Sequence, residues 1–180
     1  MVHSPRKSVA LATALVVAAA GCGTPSSRSA APTSTASSAL AIDPCVIGSW
    51  TVTHATSNEI VNDDVVEFTS DGGAVWRLDP GGKGVKDFGR GTTYSASHGG
   101  KRISFVYNGT VTFSFTTQAV GKQLALDNLR PDGESGAEVS IGDTSVWVPI
   151  GATPDSLSYN CGDNSLELID EVKTLEFRRS

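Results

Sequence analysis

Arg102-Ile103-Ser104-Phe105-Val106-Tyr107-Asn108-Gly109-Thr110-Val111-Thr112-Phe113-Ser114-Phe115-Thr116 is the stretch whose reading decides the fold. Ile103, Phe105 and Tyr107 fall on one face of an extended chain, with Arg102 and Ser104 on the other. Past the turn, Val111, Phe113 and Phe115 alternate with Thr110, Thr112, Ser114 and Thr116. Alternation with a period of two marks half-buried antiparallel strands. Asn108-Gly109 between two such runs predicts a tight hairpin joining them.

The same pattern spreads in both directions. Trp50, Val52 and His54 alternate with Ser49, Thr51 and Thr53. Ser70-Asp71-Gly72-Gly73 separates runs 65–69 and 74–78. Gly121-Lys122 separates the Phe113 run from 124–129, and Gly162-Asp163-Asn164 separates 157–161 from 166–169. A last run, 173–179, carries Leu175 and Phe177 on one face. About ten short strands and no helix are expected from this spacing. Strands with one apolar face each must close or stack to bury it. An antiparallel up-and-down β-barrel does so and removes exposed edges; a β-sandwich is the alternative.

Gly48-Ser49-Trp50 opens the first strand, and Phe177-Arg178-Arg179 ends the last. This resembles the lipocalin (calycin) pattern, in which a Gly-x-Trp indole crosses the closed end of the barrel under an arginine from the last strand. The resemblance assigns Gly48 and Trp50 to that motif, with Arg178 or Arg179 as the cation. A guanidinium on an indole contributes about 0.5–2 kcal/mol. The wider layout is similar to lipocalin-like lipoproteins of actinobacteria: a cysteine just before Gly-x-Trp, then Tyr159-Asn160-Cys161 and a terminal hairpin. The C-terminal helix and second-loop signature of the best-known lipocalins are missing.

Upstream of residue 42 the composition changes. Arg6 and Lys7 precede an uncharged run, 9–20, that falls short of the ~20 residues of a spanning helix and fits a secretory signal. Ala19-Ala20-Gly21-Cys22 looks like a bacterial lipobox, so residues 1–21 read as a signal peptide and Cys22 as the lipid-modified anchor. Residues 22–41, Ser/Thr/Pro/Ala-rich with Arg28 the only charge, read as a flexible tether, leaving 42–180 as one domain. With Cys22 acylated (for instance by palmitate), Cys45 and Cys161 remain as a pair, and an oxidising extracytoplasmic compartment favours a disulfide. Metal binding competes weakly, since two cysteines without clustered histidines form no tetrahedral site.

Setting aside Arg6, Lys7 and Arg28 leaves 11 basic residues against 19 acidic ones, a net charge of −8. Such acidity argues against a nucleic-acid partner and against anionic lipid surfaces; the anchor on Cys22 is then the membrane element. No cofactor is expected. No nucleophile elbow and no paired metal-ligand motif occurs, so catalysis is the weakest reading. Asp63, Asp64 and Glu67 form an acidic turn without calcium-loop spacing. His98 reads as a loop residue. His54, at spacing two from Trp50 and Val52, reads either as cavity-lining or as a core histidine at the rim.

Residues 79–91 hold five glycines with Lys83, Lys86 and Arg90 among them. They read as a mobile connection, or as a basic flap able to meet an anionic group at the barrel mouth. The leading function is therefore binding of a small apolar or amphipathic molecule, lined by Trp76, Phe105, Tyr107, Phe113 and Phe115. The alternative is a packed barrel that acts on a protein partner through loops 79–91 or 132–136.

Overall fold

The computed structural model describes residues 41–180, in which strands and turns alternate and no helix occurs. The signal sequence, Cys22 and the tether lie outside the described residues. Thirteen strands follow in order: β1 (Gly48–Val61), β2 (Asp64–Ser70), β3 (Val75–Leu78), β4 (Lys83–Asp87), β5 (Thr92–His98), β6 (Lys101–Asn108), β7 (Thr110–Gln118), β8 (Gln123–Pro131), β9 (Gly136–Ile141), β10 (Thr144–Pro149), β11 (Asp155–Cys161), β12 (Ser165–Ile169) and β13 (Lys173–Arg179).

Eight of them close an antiparallel ring in the order β1-β13-β12-β11-β8-β7-β4-β3, with β3 returning to β1. This is the expected barrel. The other five form a wing, β2-β5-β6-β9-β10, that continues from the far half of β1. β1 serves both parts because it is 14 residues long. Gly48 to Thr51 pair with β3, and Ala55 to Val61 pair with β2.

The expected Asn108-Gly109 hairpin does not form. β6 pairs with β5 and β9 in the wing, whereas β7 pairs with β4 and β8 in the ring. A two-residue hairpin of this type needs positive φ at both central positions. Gly109 has φ +86, but Asn108 is not in the left-handed region, so the chain kinks from wing to ring without reversing. Asn62-Asp63 (φ 50 and 70) and Gly99-Gly100 (φ 56 and 73) supply the doubly positive turns of the β1–β2 and β5–β6 hairpins instead. Likewise 70–73 does not reverse β2 onto β3, since both strands lie on β1.

The kink is held by a polar clamp. Asp132 accepts hydrogen bonds from the Thr110 amide (3.0 Å) and hydroxyl (2.6 Å). The Ser135 hydroxyl reaches both Asp132 and the Thr110 carbonyl at 2.6 Å. The Ser135 and Thr110 bonds together hold the Asp132 carboxyl down to a pKa of about 2.

Residues 79–91 are not a loop. β4 within them is a ring strand, and Gly84 is required there because a Cβ would run into the Phe113 ring on β7. Glycine suppressed the strand signature while serving the strand's packing. Inward residues of the ring form one apolar core around Trp50, Trp76, Phe113, Phe115, Tyr159 and Phe177.

At the closed end, the guanidinium of Arg179 lies 4.2 Å from the Trp50 ring centre. Gly48 leaves room for it, since a Cβ there would meet Arg179 Nη1 at 2.6 Å. Arg178, next in line, is exposed on the outer face. The Trp50 indole N–H donates to the Val46 carbonyl (2.8 Å), and Arg179 donates to the Ile47 carbonyl (3.1 Å). Residues 43–47 thereby cap this end. Asp43 accepts from the Cys45 amide and the Tyr159 hydroxyl, which hold its carboxyl below the usual range. Cys45 and Cys161 lie at disulfide distance, 6.2 Å between Cα atoms.

Candidate ligand-binding site

Where the ring opens toward the wing, a cavity of about 440 Å³ remains. That is within the ~300–1,000 Å³ typical of small-molecule sites. Its position follows from the topology: the ring supplies a floor and the wing rises beside it as a wall. Trp76, Val111 and Leu175 belong to the ring; Phe68, Tyr94, Phe105 and Tyr107 belong to the wing. The wall is a run of aromatic contacts. Phe68 meets Phe105 at 4.9 Å, Tyr107 meets Tyr94 at 5.6 Å, and Tyr107 stacks on Phe88 at 5.4 Å.

Two β-bulges decide which side chains reach this space. The pairing of β1 with β13 slips between Val52 and His54. A slip of one residue reverses the faces of everything beyond it. Trp50 and Val52 point inward as expected, but Ala55 follows them into the core. His54 is left half-buried and away from the cavity, and Ser57 and Glu59 line it instead. A second slip lies opposite Thr112 and Ser114, where Asn128 takes φ 53 and donates to Ser114. It turns Leu129 toward the cavity, where simple alternation after Leu124 and Leu126 would have placed Asn128.

Of the residues singled out in the sequence, Trp76, Phe105, Tyr107 and Lys86 line the cavity together. Phe113 and Phe115 are packed in the core beneath it and do not. Lys83 faces outward on β4, and Arg90 is exposed in the turn before β5. The 79–91 segment therefore forms no basic flap; one of its three cations points inward. His98, closing β5, lies 3.5 Å from Asp64. Asp63, Asp64 and Glu67 form no metal cluster among the described residues.

The polar groups of the cavity are few. The Lys86 ammonium lies 4.4 Å from the Trp76 ring centre and 5.6 Å from that of Phe113. Burial lowers its pKa from 10.5 to about 8, with nearby Lys173 adding to the effect and Asp155 opposing it. Lys173 also lines the cavity, but it is ion-paired with Asp155 and with Asp170. Burial alone would lower the Lys173 pKa; the hydrogen bonds and charges of Asp155 and Asp170 together outweigh it and raise the value. Burial pushes the Tyr94 hydroxyl up to about 12 and raises that of Tyr107 as well, so both remain proton donors.

Sequence reading missed Phe68, Phe88, Tyr94, Leu129 and the Asp155–Lys173 pair as cavity residues. Tyr94 stands in Thr92-Thr93-Tyr94-Ser95-Ala96-Ser97-His98, where small polar residues hide the alternation. Phe88 sits between Asp87 and Gly89 and looks like part of a loop. No family model matches the chain, and neither a curated protein nor a solved structure matches it.

Proposed function

We propose that the protein is an envelope lipoprotein, anchored through Cys22 outside the cytoplasm, whose barrel holds a small apolar or amphipathic molecule. The observation that carries the binding reading is the aromatic-walled cavity of about 440 Å³ at the junction of ring and wing. An interior filled by its own side chains would leave no such space in an eight-stranded ring. The arrangement of Gly48, Trp50 and Arg179 supports the lipocalin resemblance, and the Cys45–Cys161 pair suits an oxidising compartment. No step of a reaction is assigned to any residue.

Native mass spectrometry of the full-length protein from a bacterial envelope, followed by organic extraction, tests this reading. A co-purifying small molecule near one equivalent is expected. A clean unliganded mass that persists after incubation with envelope lipid overturns it. Cys22→Ser should release the protein from the membrane; retention there would overturn the anchor.

A second reading has its own observation. Among the described residues β10 is the edge strand of the wing, and Val146, Trp147 and Val148 on it are exposed. An apolar edge strand of this kind favours a protein partner.

A further inference from the structure

The cavity holds an ammonium, that of Lys86, with no carboxylate at ion-pair distance among the described residues. Lys86 stands on β4, paired across to Trp76 on β3 and Val111 on β7. Its two sequence neighbours, Val85 and Asp87, face away from it by strand alternation. Among the described residues it makes no ion pair and no side-chain hydrogen bond. Its ammonium rests on the Trp76 ring face, and the charge of Asp155 attracts it from beyond ion-pair distance. Partial enclosure of the ammonium carries a desolvation cost, which an anion seated on it would offset. For packing alone, an apolar side chain of the same length would serve better.

The other charges at the cavity do not supply the anion. Asp155 is bound to Lys173, and Glu59 stands exposed at the rim. The hydroxyls of Tyr94 and Tyr107 have no hydrogen-bond partner among the described residues and, protonated at neutral pH, can each donate one. Lys86 is thus the one cavity cation outside an ion pair among the described residues, and the aromatic wall adds two hydroxyls able to donate. An acidic head group is complementary to the ammonium and to a hydroxyl donor alike.

We propose that the cavity selects anionic amphiphiles: a carboxylate, sulfonate or phosphate head pairs with the Lys86 ammonium while the apolar body lies along the aromatic wall. This rests on the cavity being a binding site. A neutral amphiphile leaves Lys86 unpaired, and a cationic one is repelled by it.

Two fluorescent probes sharing one apolar body separate the two ideas: anilinonaphthalene sulfonate, which is anionic, and N-phenylnaphthylamine, which lacks the sulfonate. The full-length protein should bind the sulfonate about tenfold more tightly. Lys86→Met should abolish that preference and leave N-phenylnaphthylamine within about twofold, and Lys86→Arg should keep the preference. Equal loss of both probes in Lys86→Met, or an unchanged preference, overturns the proposal. Binding of N-phenylnaphthylamine without any sulfonate preference overturns the charge selection alone. Binding of neither probe overturns the cavity reading with it.

Should Lys86→Met fail to fold, the unmodified protein provides the answer by titration. Its sulfonate preference should fall between about pH 7 and 10 as Lys86 loses its proton, while Lys173, Tyr94 and Tyr107 keep theirs. A flat preference across that range overturns the proposal.

Discussion

Arg179, the last residue of β13, holds its guanidinium 4.2 Å from the ring centre of Trp50 on β1, so the last strand of the ring covers the first. The indole is fully buried and also anchors the Val46 carbonyl of the capping segment. Trp50→Ala is expected to lower stability by about 3–5 kcal/mol. Arg179→Ala should cost about 1–2 kcal/mol, from the lost ring contact and hydrogen bonds. Arg178→Ala, on the exposed face, should stay within about 0.5 kcal/mol. Urea unfolding of the three variants checks the ranking, and equal losses for the two arginines would contradict it.

The Cys45–Cys161 pair encloses a sequence separation of 116 residues. Constraint of so long a loop in the unfolded chain contributes up to about 4.7 kcal/mol. Reduction, or replacement of both cysteines by serine, should therefore lower the melting temperature by several degrees. Calorimetry with and without reductant reads this directly, and an unchanged melt would show that the pair is not bonded.

Gly109 combines a left-handed backbone with a crowded neighbourhood, since a Cβ there would meet both Ser135 and Asp132. Gly109→Ala should cost about 2–4 kcal/mol, by strain and by displacement of the clamp. Gly99 has φ 56 with open space around its would-be Cβ. Gly99→Ala should lose only the backbone share, about 1 kcal/mol. Matched chemical denaturation of the two separates conformation from crowding.

Lys86 ties stability to pH. Its pKa falls from 10.5 to about 8 on folding. Between those values the unfolded chain carries a proton that the folded one lacks, so stability from this group rises with pH, by up to about 1.4 kcal/mol per unit. Below about pH 8 both states are protonated and the full cost of the buried charge remains. Lys86→Met should then be more stable than the parent at pH 7, by about 1–3 kcal/mol, with the gap closing by about pH 10. Tyrosines with raised pKa values act on both proteins alike and cancel in the difference. A gap independent of pH would mean that Lys86 keeps its ordinary titration.

Much of this was legible in the chain. Alternation in Val111, Phe113 and Phe115, in Leu175 and Phe177, and in Trp50 and Val52 picked out buried faces correctly, because the side-chain period of a strand is a local property. The candidate site was read less well. Trp76, Phe105, Tyr107 and Lys86 were found, but Phe113 and Phe115 were placed in a cavity they only support. Alternation says which face a residue takes; it does not say whether that face meets packed core or open space. β4 escaped notice because Gly84 answers to the Phe113 ring on another strand, a demand invisible along the chain.

By itself, the sequence determined that the chain is all-β and that its strands must close or stack on an apolar interior, while the lipocalin resemblance brought Gly48, Trp50 and a terminal arginine together. Tertiary structure alone decided that Asn108-Gly109 is a junction between ring and wing, and that β1 serves both. It also decided that the slips near Thr53 and Asn128 exchange His54 for Ala55 and Asn128 for Leu129 at the interior. The reason is physical. Period-two patterning is fixed by backbone geometry within a strand, whereas partner choice and bulges depend on contacts between residues far apart in the chain, and one inserted residue inverts every face that follows.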